Sequence, residues 1–472
     1  MDNTHTAALL SLLDKSELTA LGKFLKSPFF TAKKHLPLLF AELREAEKWV
    51  IQSPQDVFPK LFDGEAFDDH KWNKALSDLN GCIRDFLAVR QLDTNPQLRA
   101  QADVGAFFGR ANKQAFQRAT LAALRNSNDS GTYETADGWQ LRFWTLKHSA
   151  SYTLTDRMKS AGQLLDDMGE SIDLYYFISK LQLACNRASS AQVLNLKSEQ
   201  ESFRQLLERT HELEQSGKSA MLALYRGLLY LLTMPEALFE SFFTLLQHQG
   251  QRLKRSELES VVRLALNYCI HRYHTGTAEA FEWYRLLFDW ADGQKTWTIS
   301  ANAEDYFLND GTMFAKSRDA AGFAAFLENG KNALPKRQRK RAVTLLRAYW
   351  HFYQADFRAT ALLLHQLDSR HPRYSLRFHA LNVRNTYEEW RRDQADSDDL
   401  GRALRSFKEF LHHNDLFSKS KRQSYSNLIW FIQKMTQYGQ KRGLSKEQLQ
   451  AELAKRQLAA PDWVAAKIGE LP

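Results

Sequence analysis

The sequence predicts an all-α protein: a right-handed α-solenoid of antiparallel, tetratricopeptide-like helix pairs, preceded by an N-terminal helical cap. Apolar residues recur at helical spacing along nearly the whole chain, which is the pattern of amphipathic helices. Only 10 prolines and 21 glycines interrupt 472 residues, and nearly all lie where one apolar stripe ends and the next begins. Strict alternation of apolar and polar residues is absent over any useful length, so no sheet is expected.

The stretch 341–374 is the clearest predicted helix pair. Its first helix carries an apolar stripe that ends near Phe352, a tight turn follows at 355–357, and the second helix carries four leucines before Pro372 closes the unit. The length is about that of a tetratricopeptide unit. Thr360 stands where a small alanine is expected at the contact of the two helices. Because the next predicted pair, 375–413, is longer, we expect a divergent repeat and not a regular array.

Residues 1–95 are predicted to form the helical cap. Asp14 followed three residues later by Glu17 has the form of a helix start. Pro28 ends that helix, because the residue before a proline is pushed away from the helical conformation. Further helices are expected at about 35–50, from Ser53-Pro54 onward, and from Asp68 or Asp69 to about Val89.

The solenoid is predicted to occupy residues 96–472, after the break at Asn95-Pro96. A polar stretch at 126–136 is the best candidate for an internal break, and the alternative is a long loop between helices. The predicted helices are, in order, 97–109, 111–126, 137–150, 157–168, 171–188, 198–215, 218–232, 236–249, 256–274, 278–292, 300–317, 320–333, 337–353, 357–368, 375–392, 398–413, 419–439 and 446–457.

Three short motifs occur in the same order as in a family of uncharacterised bacterial proteins with tetratricopeptide-like repeats. They are the run 24–30 (FLKSPFF), the pair 174–178 (LYYFI) with 183–185 (LAC), and the run 265–270 (ALNYCI). The chain resembles that family over most of its length. The resemblance implies an all-helical fold and supplies no activity.

The composition favours a cytoplasmic protein. Cys82, Cys185 and Cys269 are odd in number and widely spaced, which is typical of a reducing compartment. The N-terminus lacks the basic segment and long apolar run of a signal peptide. The longest apolar stretch, 221–234, is 14 residues long and contains Arg226, whereas a membrane-spanning helix needs about 20 apolar residues, so no membrane insertion is expected.

Motifs of catalysis and of cofactor or metal binding are incomplete. Gly217-Lys218-Ser219 lacks the earlier glycine and the preceding strand of a phosphate-binding loop. Cys269, His271 and His274 form the tightest Cys/His cluster, yet no second ligand cluster accompanies them. We therefore predict no enzyme activity, no catalytic residues, no cofactor and no metal. A site formed by residues from different repeats would not produce a short sequence motif.

The positive charge is confined to the last third of the chain. Residues 1–300 hold 35 Lys+Arg and 36 Asp+Glu, a net charge of −1, whereas residues 301–472 hold 29 and 19, a net of +10. Two windows without acids, 329–355 and 416–446, carry the densest bases. The candidate contacts to a polyanion or an acidic partner are Lys336, Arg337, Arg339, Lys340, Arg341, Lys419, Lys421 and Arg422. The alternative is that these bases are merely solvated.

The function predicted from the fold class is that of a non-catalytic scaffold or adaptor which binds a peptide or protein partner in the solenoid groove. The alternative is a nucleic-acid-binding or regulatory protein that uses the basic C-terminal third, since clustered bases bind phosphates. A weaker version of that alternative places a helix-turn-helix in the cap, at 54–62 and 69–89. The mixed charge of helix 69–89 argues against it.

Overall fold

The computed structural model describes residues 4–46, 49–110, 112–128, 134–153, 161–194, 199–234, 236–274, 277, 279–297, 303–334, 336–368, 372–414, 417, 419–439 and 443–472. The prediction of an all-α protein is confirmed, because these residues form α-helices, two short 3-10 helices and turns, with one isolated β-bridge and no strand. No helix of the described part has both the length and the apolar character needed to span a bilayer.

The chain divides into two compact units. The first comprises residues 1–131 and 137–171, and the second comprises residues 132–136 and 172–472. The predicted division at residue 95 stays a prediction, and residues 129–133 of the predicted break at 126–136 lie outside the described residues.

The first unit contains eight helices and the beginning of a ninth within its described residues. They are α1 (Thr4–Leu10), α2 (Lys15–Lys26), α3 (His35–Glu45), α4 (Pro54–Leu61), α5 (Asp69–Thr94), α6 (Pro96–Phe108), α7 (Lys113–Asn128), α8 (Ala136–Thr153) and α9 (Ala161–Leu194), whose residues from 172 onward belong to the second unit.

One apolar core joins α1 to α5, and it contains residues from Leu10 to Phe86. The expected start of α2 is present as a capping box: Asp14 accepts from the backbone amides of Ser16 and Glu17, and Glu17 accepts from the backbone amide of Asp14 at 3.0 Å. Such a cap satisfies amides that the first turn of a helix leaves without partners. The residues predicted as the cap therefore share one core.

The second unit continues from α9 through fifteen further α-helices in its described residues. They are α10 (Gln200–Arg209), α11 (His211–Gln215), α12 (Ala220–Thr233), α13 (Phe239–Gln249), α14 (Arg255–His274), α15 (Ala280–Gly293), α16 (Ala303–Ser317), α17 (Ala320–Gly330), α18 (Lys336–Tyr353), α19 (Phe357–His365), α20 (Pro372–Trp390), α21 (Ser397–His412), α22 (Lys419–Thr436), α23 (Lys446–Lys455) and α24 (Pro461–Gly469).

Helices that follow one another in the chain pack together as pairs: α12 with α13, α14 with α15, α16 with α17, α18 with α19, and α20 with α21. The first members of neighbouring pairs also touch, α12 with α14 and α16 with α18. Two of the turns within pairs are built alike. Arg318 and Ala355 adopt left-handed conformations, and Asp319 or Asp356 follows as the N-cap of the next helix. The residues of these turns thus end one helix and start its partner.

Four sequence predictions about boundaries were wrong. The helices expected at 157–168 and 171–188 are one helix, α9, in the described part that begins at 161. Gly169 does not break it, because a single helical glycine costs only about 1 kcal/mol relative to alanine. The helix expected at 198–215 is divided at Thr210 into α10 and α11. Pro372 begins α20, where a proline is tolerated, and does not close the preceding pair. The C-terminal helix α24 was not predicted.

Helix α24 is fixed by contacts from distant parts of the second unit. Trp463 donates its indole N–H to Glu388 Oε1 of α20 at 2.9 Å, and Lys467 Nζ lies 2.9 Å from the same oxygen. Asp462 forms an ion pair with Lys316 of α16. Because these partners lie about 75 residues or more away in the sequence, short-range patterning gives no sign of them.

Candidate functional site

A cavity of about 340 Å³ lies between two neighbouring helix pairs, α14–α15 and α16–α17. All four helices contribute to its wall, together with Trp297, which follows α15. Protein cavities that bind small ligands or side chains have volumes of roughly 300–1,000 Å³, so this one is at the small end of the range. We treat it as the candidate functional site, hereafter the inter-pair cavity.

Arg263 and Asp310 form the polar floor of the inter-pair cavity, and together with Tyr284 they form a buried triad. Arg263 Nη1 lies 2.6 Å from Asp310 Oδ2, and the Tyr284 hydroxyl donates to Asp310 Oδ1 at 2.8 Å. Only 15% of the Arg263 side chain and 7% of the Asp310 side chain are exposed. Both carboxylate oxygens of Asp310 are therefore occupied by donors from two other helices, and the triad holds α14, α15 and α16 together.

The guanidinium of Arg263 lies against two aromatic rings. Its central carbon is 4.1 Å from the centre of the Trp297 ring and 4.2 Å from that of Tyr306. The negative faces of such rings attract a cation, most strongly where water is excluded. A second acid, Glu259, lies 3.7 Å from Arg263 Nε. The positive charge of Arg263 is thus surrounded by acids and rings, and the floor does not present a free cation to a ligand.

Burial dominates the titration of this triad. It raises the pKa of the Asp310 carboxyl, an effect opposed by the charge of Arg263 and by the hydrogen bonds from Tyr284 and Arg263. Burial and the nearby Asp310 carboxylate raise the pKa of the Tyr284 phenol well above its ordinary value. The phenol therefore remains a hydrogen-bond donor, which suits a structural triad better than proton-transfer chemistry near neutral pH.

The remaining wall of the inter-pair cavity is aromatic. The rings of Phe307 and Phe326 stack with centres 5.1 Å apart, and those of Phe314 and Phe326 stack at 4.9 Å. Phe288 meets Phe314 edge-on at 5.2 Å and lies 5.1 Å from the Trp297 ring. Because aromatic rings prefer stacked and edge-to-face neighbours, this wall suits another aromatic group.

Two glycines set the close approach of the helices around these rings. A Cβ atom on Gly311 of α16 would lie 2.8 Å from a methyl carbon of Leu346 and 2.9 Å from the Phe326 ring. A Cβ atom on Gly330 of α17 would lie 2.8 Å from the Phe307 ring. Glycine at these positions lets α16 pack directly on α18 and lets the rings of Phe307 and Phe326 lie where they form the wall.

The rim of the cavity is acidic. Asp289 and Asp292 lie three residues apart on α15, both exposed and both lining the cavity. Residues three apart on a helix share a face. Asp292 accepts from the Trp297 indole N–H at 3.0 Å, and Asp289 has no ion-pair partner among the described residues. The rim base Arg285 is paired with Asp319 at 3.1 Å.

The predicted basic contacts lie elsewhere, at the first turns of α18 and α22. The first cluster, 336–341, opens α18, and its residues Lys340 and Arg341 are exposed. Arg339 is half-buried and donates from Nε to the Leu334 carbonyl at 2.8 Å and from Nη2 to the Asn332 carbonyl at 3.1 Å. Arg339 therefore closes the turn before α18. The side chains of Lys336 and Arg337 lie outside the described part.

In the second basic cluster, Lys419 begins α22 and is exposed, and Arg422 is half-buried. The side chain of Lys421 lies outside the described part. Of the candidate bases whose side chains the structure describes, none lines the inter-pair cavity.

Within the described residues, no group of three or more His, Cys, Asp or Glu side chains is placed to hold a metal ion. Of the cluster considered from the sequence, Cys269 is fully buried, and burial raises the pKa of its thiol. His271 is half-buried, and burial lowers the pKa of its imidazole. The side chain of His274 lies outside the described part.

Sequence reasoning missed every residue of the inter-pair cavity. One available signal was Asp310-Gly311, an acid and a glycine on the largely apolar buried face of α16. Comparison with protein-family models, with curated proteins and with solved structures gives no match.

Proposed function

We propose that this chain is a non-catalytic helical-repeat protein that binds a peptide or protein partner. The serial pairing of α12 to α21 supports a solenoid of tetratricopeptide-like pairs, an architecture that usually binds other macromolecules. The observation that carries the proposal is the inter-pair cavity, which offers an aromatic wall and a charged rim to a side chain from outside. The three cysteines are free, in keeping with a cytoplasmic setting.

The polar groups of the cavity favour binding over catalysis. A general acid or base needs a proton that it can exchange near the working pH. In the triad, however, Asp310 is held by Arg263 and Tyr284, while burial holds the Tyr284 pKa far from neutrality. The triad thus fits the task of fixing the positions of three helices around the cavity.

Selection of peptides from a random display library on the immobilised full chain tests the proposal. Enriched peptides, resynthesised with a fluorophore, should bind in solution with micromolar dissociation constants and should compete with one another. In parallel, a pull-down from cell extract should recover a stoichiometric protein partner with and without nuclease. Failure of the library to enrich any peptide, combined with loss of all partners after nuclease treatment, would overturn the proposal.

The second candidate function is nucleic-acid binding by the basic C-terminal third, which the exposed Lys340, Arg341 and Lys419 favour. Replacing these three by Gln should flatten the log–log salt dependence of binding to a DNA duplex by roughly one unit per lost phosphate contact. Arg339 is left in place because it closes the turn at Leu334. Unchanged affinity at low and high salt would show that these bases are solvated.

A further inference from the structure

The inter-pair cavity is built to receive a single large ring. Its volume of about 340 Å³ is at the small end of the range of protein pockets, which excludes an extended dinucleotide cofactor and fits one bulky side chain. Three of its rings, those of Phe288, Phe314 and Phe326, lie with centres 4.9 to 6.0 Å apart. An aromatic guest could add to this arrangement the same stacked and edge-to-face contacts that its members make with one another.

The charges around the cavity favour a ligand that carries a positive charge next to its aromatic ring. In the floor, the charge of Arg263 is countered by Asp310 at 2.6 Å, so an anionic guest finds no free positive group there. At the rim, the base Arg285 is already paired with Asp319. Asp289 and Asp292 remain as two exposed carboxylates on the same face of α15. The excess charge available to a ligand at the rim is therefore negative.

We propose that the inter-pair cavity binds an aromatic side chain of a partner polypeptide whose neighbouring residue is a lysine or arginine. The ring lies in the aromatic wall, and the adjacent base contacts Asp289 and Asp292. This inference rests on the proposed function, because it names the part of the partner that the repeat protein recognises.

Capped dipeptides are suitable probes: N-acetyl-Trp-Lys-amide, the neutral Trp-Gln and acidic Trp-Glu analogues, and Ala-Lys, which lacks the ring. Titrations followed by ligand-observed saturation-transfer NMR on the full chain should rank Trp-Lys above Trp-Gln and Trp-Gln above Trp-Glu. Each step should be roughly two- to fivefold at low salt, the size of an exposed charge contact, and should shrink at high salt. Ala-Lys should not bind measurably.

Two neighbouring alanines of α17 provide a matched pair of variants. Ala325 lines the inter-pair cavity, whereas Ala324 is equally exposed and does not line it. Ala325→Phe should abolish Trp-Lys binding by filling the cavity, and Ala324→Phe should leave it unchanged. Circular dichroism and an unchanged melting temperature confirm that both variants fold.

The charge preference has its own control on α15. Asp289→Asn together with Asp292→Asn should bring the affinities for Trp-Lys and Trp-Gln to the same value and leave that for Trp-Gln unaltered. Glu282→Gln, a change at an exposed acid of α15 outside the cavity, should preserve the preference.

Three results would overturn the inference: no binding of Trp-Lys at millimolar concentration, equal binding of Trp-Glu and Trp-Lys, or undiminished binding to Ala325→Phe. If library-selected peptides bind Ala325→Phe as tightly as the wild type, the inference fails while the proposed function stands. If Trp-Lys binds but no peptide or protein partner is found, the proposed function is refuted. The proposal that a partner polypeptide occupies the cavity is then refuted as well.

Discussion

Replacement of Arg263 by methionine tests how the inter-pair cavity is held together. Methionine keeps an apolar chain of similar length between the rings of Trp297 and Tyr306 but removes the charge. Asp310 would then lie buried with the Tyr284 hydroxyl as its remaining hydrogen-bond donor from the triad. The change therefore separates the ion pair from the packing around it.

The expected cost follows from the burial of the pair. Exposed ion pairs contribute about 0–1 kcal/mol, whereas removing one partner of a buried pair costs about 3–5 kcal/mol because the other charge is left without compensation. With 15% and 7% of the two side chains exposed, Arg263–Asp310 belongs to the second class. We expect the free energy of unfolding of Arg263→Met to fall by about 3–5 kcal/mol at pH 7.

This cost should depend on pH in a definite direction. Burial already raises the pKa of the Asp310 carboxyl, and without Arg263 the main opposing charge is gone. When a carboxyl has a higher pKa in the folded state than in the unfolded state, its contribution to stability is fully present below the unfolded-state pKa. That contribution is lost as pH rises through the folded-state pKa. The deficit of Arg263→Met should therefore be smallest near pH 4 and should grow toward pH 7.

Urea unfolding followed by far-ultraviolet circular dichroism measures the cost, and hydrogen exchange in α14 and α16 assigns it to this region. Arg285→Met is the matched control, because it makes the same chemical change to a pair whose side chains are 36% and 30% exposed. That control should lose no more than about 1 kcal/mol. Combining Arg263→Met with Asp310→Asn should remove the pH dependence and show a coupling of about 2–3 kcal/mol. The reasoning would be refuted if Arg263→Met and Arg285→Met lost equal free energy of unfolding, or if the loss in Arg263→Met did not change with pH.

Two further variants test the packing of the second unit. Gly311→Ala should destabilise it by about 1–3 kcal/mol in urea unfolding, because the added methyl overlaps Leu346. Gly401→Ala in α21, where a Cβ atom would meet only the Arg405 side chain at 3.4 Å, should stabilise it by about 0.5–1 kcal/mol. A neutral Gly311→Ala would contradict the close approach. Burial lowers the pKa of His379, whose ring stacks on Phe410 with centres 4.7 Å apart, to about 4. A lowered folded pKa gives stability that is lost as pH falls from about 6.5 to 4, so His379→Phe should reduce the loss of unfolding free energy over this pH range by on the order of 1–2 kcal/mol, after allowance for the half-buried position of the ring. An unaltered pH profile would contradict the role of burial.

Several features of the fold that depend on neighbouring residues were predicted correctly. The start of α2 at Asp14-Glu17 and the turn before α19 at Asp356 depend on residues within four positions of one another, and the structure has both caps. Thr360, noted as an unusual residue at a helix contact, is fully buried, and its hydroxyl donates to the Asp356 carbonyl at 2.9 Å. These features depend on neighbours in the sequence, so a pattern of residues predicts them.

The candidate site depends on residues that the sequence keeps apart. Arg263, Tyr284 and Asp310 come from three helices and span 47 residues, so no motif of fixed spacing joins them. The clustered bases at 336–341 were visible because they are adjacent in the sequence, yet one of them, Arg339, is held by backbone carbonyls. In this chain, a cluster of charged residues in the sequence therefore indicates a site less well than single residues that come together from separate helices.

Two residues of α16 at or beside the inter-pair cavity depart from the local pattern of an amphipathic helix. A regular stack of helix pairs would place aliphatic residues at each contact between neighbours, but α16 places an acid and a glycine there, Asp310 and Gly311. Aspartate and glycine both have low intrinsic helix propensity, so each destabilises the helix locally. In the folded protein, Asp310 fixes Arg263 and Tyr284, and Gly311 admits Leu346 and Phe326. Because natural sequences tend to break local rules where function demands it, the acid and the glycine at this contact are a further reason to place the binding site there.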